Sequence, residues 1–317
     1  MEQNVIAIIW DFDKTLIKGY MQRPIFEKYN VNENLFWDEV NQLHDAYGKQ
    51  GIKVNKETIY LNHFITCANQ GIFENLNNDL LRKLGKELEF YNGIPEIFVD
   101  LKNIVEKDDR YRKHDISLEH YIVSTGLSEM IRGSKISEFA DGIWGCEFIE
   151  TPIKSNIKIK EYKKDRVEDD RTISQVGYTI DNTSKTRAIF EINKGVNKFK
   201  EIDVNSNIPY NMRRVPIENM IYIADGPSDA PVFSVLKQKG VTTFAVYAED
   251  SQKEFDQVER LRIDGRIDMY GAADYSKGTS TYRWLNKHVK NIAEKIYARL
   301  ENRVLSSVSK PPEHITD

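Results

Sequence analysis

Cysteine is scarce in this chain. Its two residues in 317, Cys67 and Cys146, lie far apart and outside any metal-ligand spacing. That excludes a disulfide framework and a cysteine-based zinc site, and it fits free buried thiols in a reducing cytosol. The six histidines form no H-E-x-x-H or comparable cluster. No apolar run approaches the about 18 residues that span a bilayer, and the N-terminus lacks a basic-then-apolar leader. A first strand that begins at residue 5 leaves no room for a cleaved segment. Net charge is −4, with 45 basic and 49 acidic residues intermixed. Neither nucleic acid nor an anionic membrane is therefore the expected partner. No internal repeat is present. A chain of this length suits one large domain, or one domain carrying an insertion, in the cytoplasm.

What the chain does contain is a set of buried-strand runs that end in carboxylates. Val5 to Trp10 is apolar throughout and mostly β-branched, which predicts a central parallel strand buried on both faces. Asp11-Phe12-Asp13-Lys14-Thr15-Leu16 follows at once, placing two carboxylates at the strand's carboxyl end, where open α/β sheets bind ligands. Desolvating such a pair is costly unless a cation or a chemical role compensates. Ile221 to Ala224 is a second such run and ends in Asp225-Gly226-Pro227-Ser228-Asp229, two more carboxylates four apart. Gly226 permits a sharp turn, and Pro227 favours exit into a helix from Asp229 to Lys239 with Val232, Val235 and Leu236 inward.

Two further segments lie between them. Tyr121-Ile122-Val123 reads as a short strand leading into Ser124-Thr125-Gly126 and an amphipathic helix through Met130, Ile131 and Ile136. A hydroxyl and free amides before a helix start make a phosphate-oxygen cradle, and the same residues would equally serve to cap the helix. Asp181-Asn182-Thr183-Ser184 caps a helix with the stripe Ala188, Ile189 and Ile192, closed by Gly195. Lys185 sits in its first turn, where the helix dipole disfavours a cation, which points to another use. Lys194 competes with it, but helix electrostatics already explains a lysine in the last turn.

Residues 20–91 read as helical, through Phe36, Trp37, Val40 and Leu43, then Ile59, Phe64 and Ile65, then Leu80, Leu81, Leu84 and Leu88. Tyr91-Asn92-Gly93-Ile94-Pro95 punctuates the return, and a helix from Pro95 to Val105 follows. Phe139 to Phe148 reads as a turn entering a strand and Val176 to Ile180 as its partner, a β-hairpin with the charged stretch 154–170 as its solvated, mobile tip. Thr242 to Tyr247 predicts a further parallel strand and Ile267 to Ala273 an edge strand. A long helix is expected from Gly278 to Val304, with Trp284, Leu285, Val289, Ile292, Ile296 and Leu300 on one face.

In this order the four segments resemble the motifs of the haloacid dehalogenase-like (HAD) superfamily: Asp11-x-Asp13-x-Thr15-Leu16, the strand-end Ser124, Lys185, and Asp225-x-x-x-Asp229. Ala224 stands where glycine often precedes the last motif. The helical block resembles the cap of the phosphoserine-phosphatase-like branch. The resemblance implies an α/β fold: a doubly wound, mostly parallel Rossmann-like sheet with an inserted all-helical cap and a small β-hairpin insertion. The core would be residues 1–19 and 92–305, the cap 20–91 and mobile, and 306–317 a disordered tail.

The implied chemistry is Mg²⁺-dependent hydrolysis of a small phosphomonoester, phosphoserine being the substrate that the cap type suggests. Four carboxylates at one point need cation charge, and Mg²⁺ suits an all-oxygen site. By resemblance the Asp11 side chain, the Asp13 backbone carbonyl and Asp225 hold the metal, while Asp229 holds waters or Lys185. Ser124, the Thr125 amide and Lys185 would bind phosphate. Asp11 would become an aspartyl-phosphate, and Asp13 would protonate the leaving alkoxide and then activate water. The dehalogenases lack an aspartate at the place of Asp13, and P-type ATPases carry threonine there together with membrane helices. Lys14 and Thr15 are expected to shape the turn; Lys18, Arg23 and Glu27 read more simply as surface charge than as pocket lining. The alternatives are a phosphotransferase or mutase using the same intermediate, and a catalytically silent regulatory binding protein of the same fold.

Overall fold

A computed structural model describes residues 3–152 and 171–308. Seven strands form one sheet: β1 (Val5–Trp10), β2 (Ser117–Leu127), β3 (Gly142–Ile149), β4 (Gln175–Tyr178), β5 (Met220–Ala224), β6 (Thr242–Tyr247) and β7 (Met269–Ala272). Their order is β4-β3-β2-β1-β5-β6-β7, parallel except for β4, which runs antiparallel to β3. This is the α/β, doubly wound, mostly parallel sheet that the apolar runs predict. All six residues of β1 and all five of β5 are buried, as covering helices on both faces require. Chain order reverses at β1, which pairs with β2 on one side and β5 on the other. Ligand-binding crevices open at such a switch point, beyond the carboxyl ends of the strands.

The helices are α1 (Arg23–Lys28), α2 (Glu33–Lys49), α3 (Ile59–Asn69), α4 (Asn78–Gly85), α5 (Glu96–Glu106), α6 (Asp109–Arg112), α7 (Ser128–Gly133), α8 (Lys185–Lys194), α9 (Ala230–Gln238), α10 (Gln252–Ile263) and α11 (Ser280–Val308). Among the described residues none is long and apolar enough to cross a membrane. Six of them lie between β1 and β2, and the first four, α1 to α4, make up one segment of that connection. Asn32 and Asn77 start α2 and α4 by accepting the amides of Leu35 and Leu80. Phe26, Phe36, Phe64 and Phe73 give this segment an aromatic core, with Phe36 and Phe64 centroids 5.1 Å apart. Its last helix is bonded closely to the sheet domain. A Cβ at Gly85 of α4 would lie 2.1 Å from the Met130 carbonyl oxygen, and one at Gly133 of α7 2.0 Å from that of Arg82. Only glycine permits two backbones to meet this closely, so α4 and α7 pack as one unit.

Several expectations need correction. The Tyr121–Val123 strand is the middle of an eleven-residue β2, whose first half is masked in sequence by Ser117, Glu119 and His120. His120 is buried and neutral: burial pushes its pKa down to about 3, while it accepts from Trp10 Nε1 at 3.1 Å and donates to the Phe98 carbonyl at 3.0 Å. The hairpin exists, but its first arm, β3, is itself a parallel core strand beside β2. Its expected tip, 154–170, lies outside the described residues. In α9, Phe233 rather than Val235 faces the core, and Val235 is exposed. Helix α11 continues through Val308, so the tail expected from Ser306 begins as helix; its remainder lies outside the described residues. Both cysteines are free and buried.

The Gly133 contact generates a paired prediction. Gly133→Ala should destabilise the protein by on the order of 1–3 kcal/mol or more, because backbone cannot move aside cheaply. Gly48→Ala, in α2 with nothing within 4 Å of the new Cβ, should stabilise it by roughly 0.5–1 kcal/mol. Urea unfolding of both variants checks this; equal shifts would refute the packing account.

Candidate active site

The carboxyl end of β1 is extended by one further rung: the Asp11 amide donates to the Ile223 carbonyl at 2.8 Å. Asp11 is thereby set beside the end of β5, from which Asp225 and Asp229 follow. One carboxylate oxygen from each of Asp11, Asp225 and Asp229 lies within 4.8 Å of the others. The buried ammonium of Lys185 donates to Asp11 Oδ1 and Asp229 Oδ1, both at 2.8 Å. The loop before α8 aims it there. Asp181 Oδ1 accepts the amides of Thr183 (3.0 Å) and Ser184 (2.7 Å), and the helix then starts with Lys185 directed inward. Lys194, at the other end of α8, donates instead to the carbonyls of Val204 and Ser206.

The electrostatics follow from burial. Burial raises Asp11, Lys185 draws it back, and Asp229 raises it again, leaving it at about 6. Asp225 is pushed well above the carboxylate range by burial and by the charges of Asp11 and Asp229. Burial alone would lower Lys185, but Asp11 and Asp229 outweigh it and hold the ammonium charged. Asp13 stands outside the three-carboxylate group. Its Oδ1 accepts the Met21 amide at 2.9 Å, and burial, then the charge of Asp11, push it up to about 8. The four-carboxylate cluster expected from sequence is thus three carboxylates and one carboxyl set apart.

Ser124 is buried where the β2–β3 register shifts, and its hydroxyl accepts the Gly126 amide at 3.0 Å. It does not cap the helix: α7 starts after Leu127, with no side-chain cap. The Thr125 carbonyl accepts from the Tyr60 hydroxyl at 2.8 Å, and Met21 Sδ accepts the Leu127 amide at 3.0 Å. Asn55 and Glu57 bond the Asp181 side chain (3.0 Å) and the Asn182 amide (2.7 Å). The inserted helices therefore touch both loops that flank the carboxylates. Thr15 donates to Asp11 Oδ2 at 3.2 Å, while Lys14 pairs with Glu254 at 3.2 Å. Lys18, Arg23 and Glu27 are exposed.

Tyr222 escaped the sequence reading. Its buried hydroxyl donates to Asp229 Oδ1, and burial followed by the nearby carboxylates keeps the phenol protonated. The available signal was a hydroxyl inside an otherwise apolar strand, three residues before Asp225.

Lys185→Met tests whether its charge or its bulk matters. Removing one partner of a buried ion pair costs on the order of 3–5 kcal/mol. In metal-free protein Asp11, which the Lys185 charge draws back to about 6, should then titrate higher still. A raised acid contributes stability below its unfolded pKa and loses it as pH rises through the folded value. The deficit against wild type should therefore be larger at pH 8 than at pH 5 in urea unfolding. The same deficit at both would make Lys185 a packing residue.

No family model matches the chain. A protein of Borreliella burgdorferi that bears the description "Uncharacterized protein" is 36% identical over 291 residues, spanning 90% of this chain and 97% of that one. Among solved structures, a HAD family hydrolase from Salmonella enterica serovar Typhi aligns over 84% of this chain and 67% of its own, with TM-score 0.50 and 13% identity. A phosphoserine phosphatase, solved as an analogue of its phospho-aspartyl intermediate, aligns over 90% and 99% with TM-score 0.46 and 16% identity. The chain belongs to one family with the Borreliella burgdorferi protein, and its fold is that of the haloacid dehalogenase-like hydrolases.

Proposed function

We propose that this chain is a Mg²⁺-dependent phosphatase of the cytoplasm that hydrolyses a small phosphomonoester through an aspartyl-phosphate on Asp11. The observation that carries the reading is the contrast between two neighbouring carboxyls. Asp11 is bonded to the Lys185 ammonium, whereas Asp13 accepts, among the described residues, only a backbone amide and sits at about 8. Pairs of acids whose environments push them apart divide nucleophile from proton donor.

The donor set fits a hard divalent cation: three carboxylates gather around one ammonium, with no histidine or cysteine in the group. Asp11 and Asp225 would hold the metal, while Asp229, bonded to both Lys185 and Tyr222, would keep Lys185 in place. Mg²⁺ bound there would neutralise phosphate charge so that a carboxylate can approach. Asp11 attacks phosphorus, and the departing alkoxide oxygen takes the Asp13 proton. The Asp13 carboxylate then accepts a proton from the water that cleaves the acyl phosphate, restoring both side chains. Lys185 keeps Asp11 oriented and offsets charge on the phosphoryl group, while Ser124 and the Thr125 amide bind its oxygens. Residues 20–91 serve as the cap over a core of 1–19 and 92–305, with α4 remaining on α7 when the rest moves. Asp11 and Lys185 are almost wholly buried, which supports a closed state. A phosphoserine-like metabolite is the substrate we favour.

The test is a panel of phosphorylated metabolites assayed with Mg²⁺ and with excess chelator. Turnover should require the metal and vanish in Asp11→Asn; hydrolysis that survives either change would end the reading. For Asp13→Ala, alkyl phosphates should lose far more rate than an aryl phosphate, whose phenolate leaves with little protonation. Equal losses on the two substrates would remove Asp13 from the acid role.

A further inference from the structure

Lys185 points inward from α8, but its neighbours on the same helix line a separate cavity of about 480 Å³. Thr186, Arg187, Phe190 and Lys194 form one wall, and Arg213 and Lys239 close it from adjoining segments. Four of its eight lining residues are basic and none is acidic, although the chain as a whole carries more acid than base. Arg187 is paired with Glu191 at 3.1 Å. Lys194, Arg213 and Lys239 have no carboxylate partner among the described residues.

The bonds these three make orient them without cancelling their charge. Lys194 donates to the carbonyls of Val204 (2.5 Å) and Ser206 (2.8 Å). Arg213 donates to the Ile208 carbonyl and to Asn193 Oδ1, each at 3.2 Å. The Lys239 ammonium stands 5.5 Å from the centroid of the Phe190 ring. Helix dipoles account for Lys194 and Lys239 singly, since each ends a helix. They do not account for Arg213 on the same wall or for the absence of any acid. Three like charges around one hollow repel, and an anion relieves that cost.

We propose that this cavity binds a small phosphorylated metabolite of nucleotide size, its phosphates on Lys194, Arg213 and Lys239 and its apolar part on Phe190. The volume lies in the range of ligand pockets, and a half-buried aromatic beside cations gives a ring a surface to lie on. A concave pocket on an acidic chain favours a small anion over a nucleic-acid strand. Being independent of the carboxylate cluster, the site requires no divalent metal.

The test is calorimetric titration of the full chain with adenosine triphosphate in excess chelator, where the metal-free carboxylates repel phosphate. One saturable site is expected, with adenosine alone failing to bind. Lys239→Glu, at an exposed helix end, should weaken binding by roughly tenfold or more. Lys107→Glu, an exposed cation at the end of α5, should leave it unchanged. Absence of saturable binding, an unaffected Lys239→Glu, or an equal loss in Lys107→Glu would each overturn the proposal.

Discussion

The buried ammonium of Lys185 is the constraint on which the rest of the site depends. Asp11 closes β1, Asp229 begins the helix after β5, and Lys185 begins α8; their meeting point is held by two bonds of 2.8 Å. Without the cation, parallel strands would deliver several carboxylates into an apolar interior with nothing to offset their mutual repulsion. With it, Asp229 can be wholly buried, and Tyr222 satisfies the same oxygen from within the sheet. The cost of placing a lysine in a first helical turn is thereby returned in a different part of the molecule. An Asx turn at Asp181 supplies the capping that Lys185 cannot.

The same loop ties the inserted helices to the site. Asn55 and Glu57 reach the Asp181–Asn182 turn, Tyr60 reaches Thr125, and Met21 fills the space beside Gly126. Each is a single polar bond or a flexible thioether, which can be broken and remade. The α4–α7 contact is of another kind: glycine backbones pressed against carbonyl oxygens. A motion that opened the site would part the first set and leave the second intact, so α4 would stay with the sheet.

Much of this was legible in the sequence because parallel strands buried on both faces read as unbroken apolar runs. The β1 and β6 boundaries coincide with Val5–Trp10 and Thr242–Tyr247, and carboxylates at strand ends mark themselves. The failures share a physical cause. Ser117, Glu119 and His120 disguised half of β2, although His120 is satisfied as a neutral ring between Trp10 and Phe98. Gly142 and Gly145 hid that the first hairpin arm is also a core strand, although their lack of side chains is what permits close neighbours, such as the Ser128 amide near Gly145. Tyr222 read as part of an apolar run, since nothing in the run itself shows that its hydroxyl reaches Asp229.

The separation of Asp13 from the other three carboxylates needed the turn geometry, and that geometry is itself unusual. Lys14 holds a left-handed backbone, φ 54°, where glycine would be unstrained, and its amide donates to the Gly19 carbonyl at 3.0 Å. A side chain there costs on the order of 1–2 kcal/mol. The Lys14 side chain recovers part of this through Glu254 and by standing 5.0 Å from the Tyr20 ring centroid. The tight turn carries Asp13 toward the Met21 amide and away from Lys185, so two carboxyls two residues apart meet different surroundings. One keeps a cation and the other keeps a proton, and it is the backbone between them, more than either side chain, that decides which is which.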